Sequence, residues 1–323
     1  MLYPLTFTPR FKERVWGGRN LERLYAKRLP AAVPIGESWE ITDRLGDVSV
    51  IANGPHAGRD LRWLMKEHAD ELLGDATALH GRFPLLIKIL DAQDTLSLQV
   101  HPPAAKAAEL KGEPKTEMWF ITDARPDAAL YAGLRRGVTR AEFEQRIADG
   151  TVAECFHRLP VRAGDALFLP SGRVHAIGAG NVIFEIQQNS DTTYRVFDWN
   201  RVGLDGKPRE LHIAESLASI DFNDFEPSLA PHERRTVGLA TVRELARCPL
   251  FTVEHWALDT GGSVPLAPGV MHVIAAVTGR VRVEAATGAA ELTPGHFALV
   301  PASVNATIRA ESSATWLRAE AGR

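Results

Sequence analysis

The sequence predicts a mainly β protein with a few short helices, arranged as two barrels or sandwiches. Three observations carry this. Short apolar runs follow one another at 83–90, 96–100, 118–122, 166–169 and 182–187, divided by Gly, Pro and Asp. Many short strands with turn signals between them make sandwiches or barrels rather than helical bundles. Helical periodicity is confined to a few places. Finally, one stretch of the first part returns in weaker form near the C-terminus.

The predicted helices come first. Residues 60–73 show the best apolar periodicity, opened by Asp60 and closed by Gly74. Residues 139–148 open with a capping box, Thr139 with Glu142, and stop before Gly150. Residues 104–110, before Gly112, form a third. The segment 221–236, rich in Asp, Phe, Pro and charge, reads as a linker. It divides the chain into 1–230, an N-terminal segment plus a first β unit, and 231–323, a second one. The second unit carries the echo. Gly295 to Ala306 has the spacing of Gly164 to His175, with Leu299-Val300-Pro301 over Phe168-Leu169-Pro170 and Ala306 in place of His175. The second copy therefore lacks the histidine.

Bulk composition narrows the function classes. The formal charge is −3, from 37 Lys+Arg against 40 Asp+Glu. Such a balance gives no footprint for nucleic acid or an anionic membrane. An anionic ligand must be held by a local cluster of cations. Cys155 and Cys248 lie apart with no C-x-x-C pair and are expected reduced and buried. No h-region follows Met1, and no run approaches ~18 apolar residues, so a cytoplasmic protein is expected.

Two segments concentrate the chemistry. Leu98-Gln99-Val100-His101 reads as a strand, and a strand turns alternate side chains to one face, so Ser97, Gln99 and His101 point together. Gly164 to His175 reads as a turn, a buried strand and a Pro-x-Gly turn that delivers His175 onto the next strand. Lys115 and Glu117 share one face of the strand that follows His101. Gln99, His101, Glu117 and His175 thus form a candidate metal set. Two imidazoles, a carboxylate and an amide suit a borderline divalent cation, zinc first. Their single charge leaves the cavity positive, which favours an anionic substrate. Glu185, alone on the apolar run 182–186, needs a partner or a purpose.

The Gly-x5-Pro-x-Gly-x2-His pattern, with a Gln-x-His and a Glu on other strands, resembles the two motifs of the cupin superfamily. The order of Arg14-Val15-Trp16-Gly17-Gly18, Ile35-Gly36-Glu37-Ser38-Trp39-Glu40, Leu98-Gln99-Val100-His101-Pro102, Lys115-Thr116-Glu117-Met118-Trp119, the His175 segment and Ser190-Asp191-Thr192-Thr193-Tyr194-Arg195 is similar to that of type I mannose-6-phosphate isomerases. The similarity covers nearly the whole chain and is weakest from about 205 to 290. It corresponds to the short bacterial form, for there is no room between Pro103 and Lys115 or after Gly133 for a large helical domain. The resemblance implies two cupin-type β-barrels, or jelly rolls, the second degenerate and without metal. It also implies one Zn2+ per chain on Gln99, His101, Glu117 and His175, and a catalytic arginine at Arg195. Ser97 and Lys115 fall at positions beside the sugar phosphate, and Glu185 at an active-site acid.

The activity this implies is that of an aldose–ketose isomerase acting on mannose 6-phosphate and fructose 6-phosphate. Moving a proton between C1 and C2 needs an acid/base group and stabilisation of an enediolate. Glu185, Lys115 and a zinc-bound water remain alternatives for the base, and Arg195 could bind phosphate or stand over the enediolate. Another cupin isomerase or oxygenase, or a non-catalytic sugar-binding cupin, is the competing reading. His272 and His296 are expected to be structural or surface groups. The expected partner is a small sugar phosphate, not nucleic acid or membrane, with the chain a monomer or homodimer.

Overall fold

A computed structural model describes residues 1–323. Strands dominate, and the longest helix is only Arg140–Ala148. In the N-terminal part a six-stranded sheet runs, edge to edge, through Ala166–Leu169, Glu117–Ala124, Asn181–Gln188, Leu85–Ala92, Ile35–Ile41 and Arg10–Gly18. Facing it is a five-stranded sheet of Tyr194–Phe197, Leu98–Val100, His175–Ile177, Ala129–Leu134 and Phe156–Pro160. The C-terminal part pairs a six-stranded sheet with a four-stranded one. All the sheets are open, so the closed barrels expected from the sequence are here pairs of antiparallel sheets.

The echo in sequence is an echo in topology. The C-terminal six-stranded sheet runs Phe297–Val300, His272–Thr278, Ala314–Ala321, Phe251–Leu258, Ala240–Arg247 and Arg235–Val237. Taken in chain order, these strands and their four partners Ser263–Pro265, Val281–Ala285, Gly288–Leu292 and Ala306–Ala310 fill the same sheet places as the N-terminal strands. Within these two sheets only Tyr194–Phe197, which carries Arg195, has no counterpart. Register confirms the alignment: Glu117 pairs with Leu169 as His272 pairs with Val300.

The N-terminal six-stranded sheet is covered on both faces. One face gives Ile87, Ile89, Met118, Phe120, Phe184 and Ile186 to a core of 56 buried residues shared with the C-terminal part. There the Phe184 ring lies 5.1 Å from Phe297, and Phe120 4.9 Å from His255. The other face gives Leu90, Trp119, Ile121 and Ile183 to the interior of the N-terminal sandwich, against Leu130, Ala132 and Ile177. A sheet buried on both sides loses the polar alternation of a surface strand. That is why Leu85–Ala92 reads as a nearly unbroken apolar run, and why its Lys88 stands out. The N-terminal segment joins the same assembly, with Leu5 exchanging two backbone hydrogen bonds of 2.8 Å with Leu299.

Helices cover the outer face of the five-stranded sheet. Phe143 packs there with Phe156, Val174 and Val196. Thr139 caps its helix by accepting from the Glu142 backbone at 3.1 Å. Glu142 turns its carboxylate to Arg146 at 3.0 Å, so only half of the capping box forms. Asp60 caps Leu61–Glu67 through Trp63 N, but the helix breaks at His68 and resumes as Ala69–Leu73 before Gly74. The third helix shortens to Ala104–Ala107, because Lys111 enters the left-handed region at φ 54°. Cys155 is buried and Cys248 only partly so; both are free thiols.

Phe184 ties the two parts together. Phe184→Ala should lower the unfolding free energy by about 3–5 kcal/mol, the cost of a large cavity at a closed core. Denaturant titration followed by tryptophan fluorescence measures it.

Candidate active site

The site lies between the two N-terminal sheets. On the five-stranded sheet, register places Arg195 and His175 on either side of Gln99. Residues opposite one another across strands share a face. On the six-stranded sheet, register aligns Trp119, Glu185, Lys88 and Trp39 across four strands. Glu117 and Glu37 sit one step along on that same face. A cavity of about 590 Å³ opens between the sheets, lined by Ser97, Gln99, Lys115, Glu185 and Arg195 among others. His101, Glu117 and His175 are buried beside that lining.

Both imidazoles are held from behind. His101 donates its Nδ1–H to the Thr192 carbonyl at 2.8 Å, and His175 donates its Nδ1–H to the Arg173 carbonyl at 2.9 Å. A carbonyl can only accept, so each Nδ1 carries the proton and each Nε2 is a bare lone pair. Burial, with Lys115 nearby, pushes His101 down to about 3 and keeps it neutral. Burial lowers His175 as well, against the pull of Glu117.

The two lone pairs converge on a carboxylate. His175 Nε2 lies 3.2 Å from Glu117 Oε1, and His101 Nε2 3.6 Å from Glu117 Oε2. The Gln99 amide end is 3.3 Å from His175 Nε2. Glu117 is fully buried, and neither of its oxygens receives a hydrogen bond. Lys115 Nζ, at 2.8 Å from Oε2, is its one close cation. Burial alone would raise Glu117, but Lys115 and the imidazoles hold it well below the usual carboxylate range. Lone pairs face a carboxylate here, and Lys115 Nζ, 3.3 Å from His101 Nε2 as well as 2.8 Å from Glu117, is the one cation between them. His101, Glu117 and His175 offer atoms all within 4.8 Å of one another, a donor set that suits a divalent ion. The four residues read as ligands from the sequence do converge.

A second charged row lines the cavity wall. Lys88 Nζ sits 3.4 Å from Glu185 Oε1, 3.7 Å from Glu37 Oε2 and 4.0 Å from Asp191. It also lies 4.9 Å from the Trp39 ring centre. The two glutamates differ. Glu37 accepts from Arg14 Nε and Trp39 Nε1, both at 2.7 Å. Burial opposes its ionisation, but Lys88 and Arg14 outweigh it and hold Glu37 at about 2. Glu185 accepts only from Trp119 Nε1, at 2.8 Å, and its Oε1 has no hydrogen bond. Burial raises Glu185, and the Glu117 charge adds to this against Lys115 and Lys88. One carboxylate is fixed as an anion; the other is poised to carry a proton.

Sequence reasoning placed Ser97, Lys115, Glu185 and Arg195 on this cavity. It missed the roles of Lys88, Glu37, Trp39 and Trp119. A lysine inside an apolar strand was the available signal for Lys88. The His272 ring, in Glu117's place in the second part, donates through Nε2 to the Ala267 carbonyl at 3.0 Å, with Nδ1 3.2 Å from Glu320. Ala306 stands there where His175 would. No helix is long and apolar enough to cross a membrane.

Residues 5–117 match the family model for the catalytic domain of phosphomannose isomerase type I. The chain is 38% identical over 288 residues to a mannose-6-phosphate isomerase of Streptococcus mutans, covering 88% of each. It is 40% identical over 264 residues to mannose-6-phosphate isomerase ManA of Bacillus subtilis, covering 81% of each. A crystal structure of the mannose 6-phosphate isomerase from Bacillus subtilis superposes with a TM-score of 0.89 at 29% identity, over 98% of this chain and 99% of that one.

The Lys88 row gives a prediction for acid stability. A carboxyl with a lowered value stabilises the fold above its ordinary value of 4.5 and loses that contribution as pH falls towards about 2. Glu37→Gln removes the titration. Between about pH 5 and about pH 2 the wild type should therefore lose up to about 3 kcal/mol more unfolding free energy than the variant. Urea titrations at both ends of the range read the difference.

Proposed function

The chain belongs to the type I phosphomannose isomerases and is a mannose-6-phosphate isomerase, and on that premise we propose that its N-terminal cavity interconverts mannose 6-phosphate and fructose 6-phosphate by metal-assisted proton transfer. The observation that carries the mechanism is Glu117, buried with the Lys115 ammonium at 2.8 Å as its one close cation and faced by two imidazole lone pairs. Gln99, His101, Glu117 and His175 would hold the ion, and zinc fits a set of two imidazoles, one carboxylate and one amide. Bound there, zinc would supply Lewis acidity towards the substrate's C1 and C2 oxygens.

The chain's own residues do the rest. Glu185 takes the proton from C2 of the aldose and returns it to C1, since it alone combines a raised value with a free carboxylate oxygen at the cavity. Trp119 fixes its other oxygen, and Lys88 limits how far the carboxyl can rise. Lys115 keeps Glu117 ionised. Arg195, one strand from Gln99, stands over the negative charge that grows as the C2 proton leaves. Ser97, on the same face two residues before Gln99, offers its hydroxyl to the sugar. The two sheet pairs are read as two cupin-type jelly rolls: 1–230, with the N-terminal segment and the metal, and 231–323 without metal. A cytoplasmic location is part of the same proposal.

Two variants separate metal from catalysis. His175→Ala should abolish both metal content, by elemental analysis, and turnover in a coupled assay. A variant that keeps one metal per chain would refute the ligand set. Arg195→Ala should keep its metal and lose roughly 10²–10³ in kcat/KM, the range for one group stabilising a growing charge. Arg195→Lys should recover only part, since a point charge does not replace a planar fork. Equal turnover of mannose and mannose 6-phosphate by the wild type would contradict the substrate assignment.

A further inference from the structure

Metal-assisted isomerisation leaves the substrate's phosphate without a holder, and a phosphate site in this cavity rests on that reading. With C1 and C2 at the metal centre, a phosphate on C6 lies at the far end of an extended hexose. Lys115 is committed to Glu117 at 2.8 Å, and Arg195 stands beside Gln99 by register. Both belong to the metal end.

The segment 198–212 supplies a further cation. It comes after Tyr194–Phe197, the one strand of the five-stranded sheet with no counterpart in the C-terminal part, and crosses the cavity rim, where Gly203, Leu204, Asp205 and Arg209 line the wall. Its root is pinned beside Ser97: Trp199 Nε1 donates to the Leu96 carbonyl at 2.9 Å, and Arg201 Nη1 to the Thr95 carbonyl at 2.6 Å. Trp199 and Asn200 both take left-handed conformations, φ 56° and 54°, which folds the chain back. A hairpin closes through Gly203 N and the Lys207 carbonyl at 2.7 Å. The returning chain is fixed by Arg195 Nη1, which donates to the Glu210 carbonyl at 2.6 Å.

The three acids and three bases of this segment do not pair off one to one. Buried Asp198 accepts from Arg209 as a fork, Nε on Oδ2 at 2.7 Å and Nη2 on Oδ1, while Arg201 Nε and Nη2 both donate to Oδ1, at 3.0 and 2.9 Å. Arg201 also meets the exposed Asp94 at 3.1 Å. Asp205, the nearby acid on the cavity wall, takes its own loop's Lys207 N–H at 3.1 Å. Arg209 spends one edge on Asp198, while its Nη1 makes no bond within the protein. Arg195 Nε is buried and likewise unpartnered. Donors left open on a cavity wall, above one carboxylate shared by two guanidinium groups, suit an anion.

We propose that Arg209 determines specificity for the substrate's phosphate, and that Asp198 is the positioning residue that aims it. Arg209 meets the phosphate through its free Nη1 edge while Arg195 remains at the reacting carbons. We take this contact, far from C2, as equal in ground and transition states, and such binding acts on KM more than on kcat.

The test uses the full-length, metal-loaded protein with Arg209→Ala, Arg209→Lys and Asp198→Asn. Kinetics on mannose 6-phosphate, competition by inorganic phosphate and metal content are measured for each. Arg209→Ala should raise both KM and the phosphate inhibition constant by roughly ten- to a hundredfold, the range for a lost charge-assisted hydrogen bond. Its kcat and metal content should hardly change. Arg209→Lys should restore part of the affinity, and Asp198→Asn should shift both constants the same way by less. An Arg209→Ala enzyme with unmoved KM and phosphate inhibition overturns the proposal. So does a fall in kcat alone, which marks a merely structural arginine. Should the wild type fail to turn over mannose 6-phosphate, calorimetry with inorganic phosphate still decides: weaker binding in Arg209→Ala upholds the anion site while the isomerase reading fails, and equal binding overturns the site.

Discussion

A buried carboxylate facing two imidazole lone pairs, with one ammonium beside it, is the constraint on which the rest of this structure depends. Glu117 sits under two imidazole lone pairs whose orientation is set by the Thr192 and Arg173 carbonyls. Neither carbonyl lies on a regular strand, so the loops before Tyr194–Phe197 and before His175–Ile177 must both be held in place. The Pro170 to Gly172 turn does this for His175: Gly172 N donates to the His101 carbonyl at 2.9 Å, tying one histidine segment to the other. The scaffold is organised to keep acceptors pointed at one another, which is stable only around positive charge. Lys115 supplies one such charge, and a divalent ion would supply the rest.

The six-stranded N-terminal sheet makes this arrangement possible. Its apolar face is absorbed by the C-terminal part, which frees the other face for charge. The row Trp119, Glu185, Lys88 and Trp39 would be an expensive set of buried groups in isolation. Here each carboxylate meets an indole N–H, and the ammonium lies between them. The C-terminal part thus serves the site by covering that apolar face. It keeps the topology of the first part but lacks the strand that bears Arg195 and the segment that bears Arg209.

Much of the site was legible in the sequence because its signals are local. The period of two put Ser97, Gln99 and His101 on one face, and the Gly164 to His175 turn grammar placed the second histidine. Thr139 and Asp60 marked their helix starts. The repeat was visible through Gly295 and Pro301, since both copies need a left-handed glycine before the edge strand, with φ 92° at Gly164 and 77° at Gly295. What could not be read depends on register between distant strands. Nothing near Lys88 in the chain announces Glu37 and Glu185, which reach it across neighbouring strands. Open sheet pairs in place of closed barrels are a matter of edge geometry, which alternation along one strand does not encode. Arg209 lies in a polar stretch whose composition matches any solvated loop.

The most direct measurement is a zinc titration of chelator-stripped protein, with mannose 6-phosphate turnover monitored at each addition. Metal-assisted proton transfer at Gln99, His101, Glu117 and His175 predicts negligible turnover in the stripped protein and a linear recovery that saturates at one zinc per chain. Full turnover without metal, or recovery that needs more than one ion per chain, would contradict it.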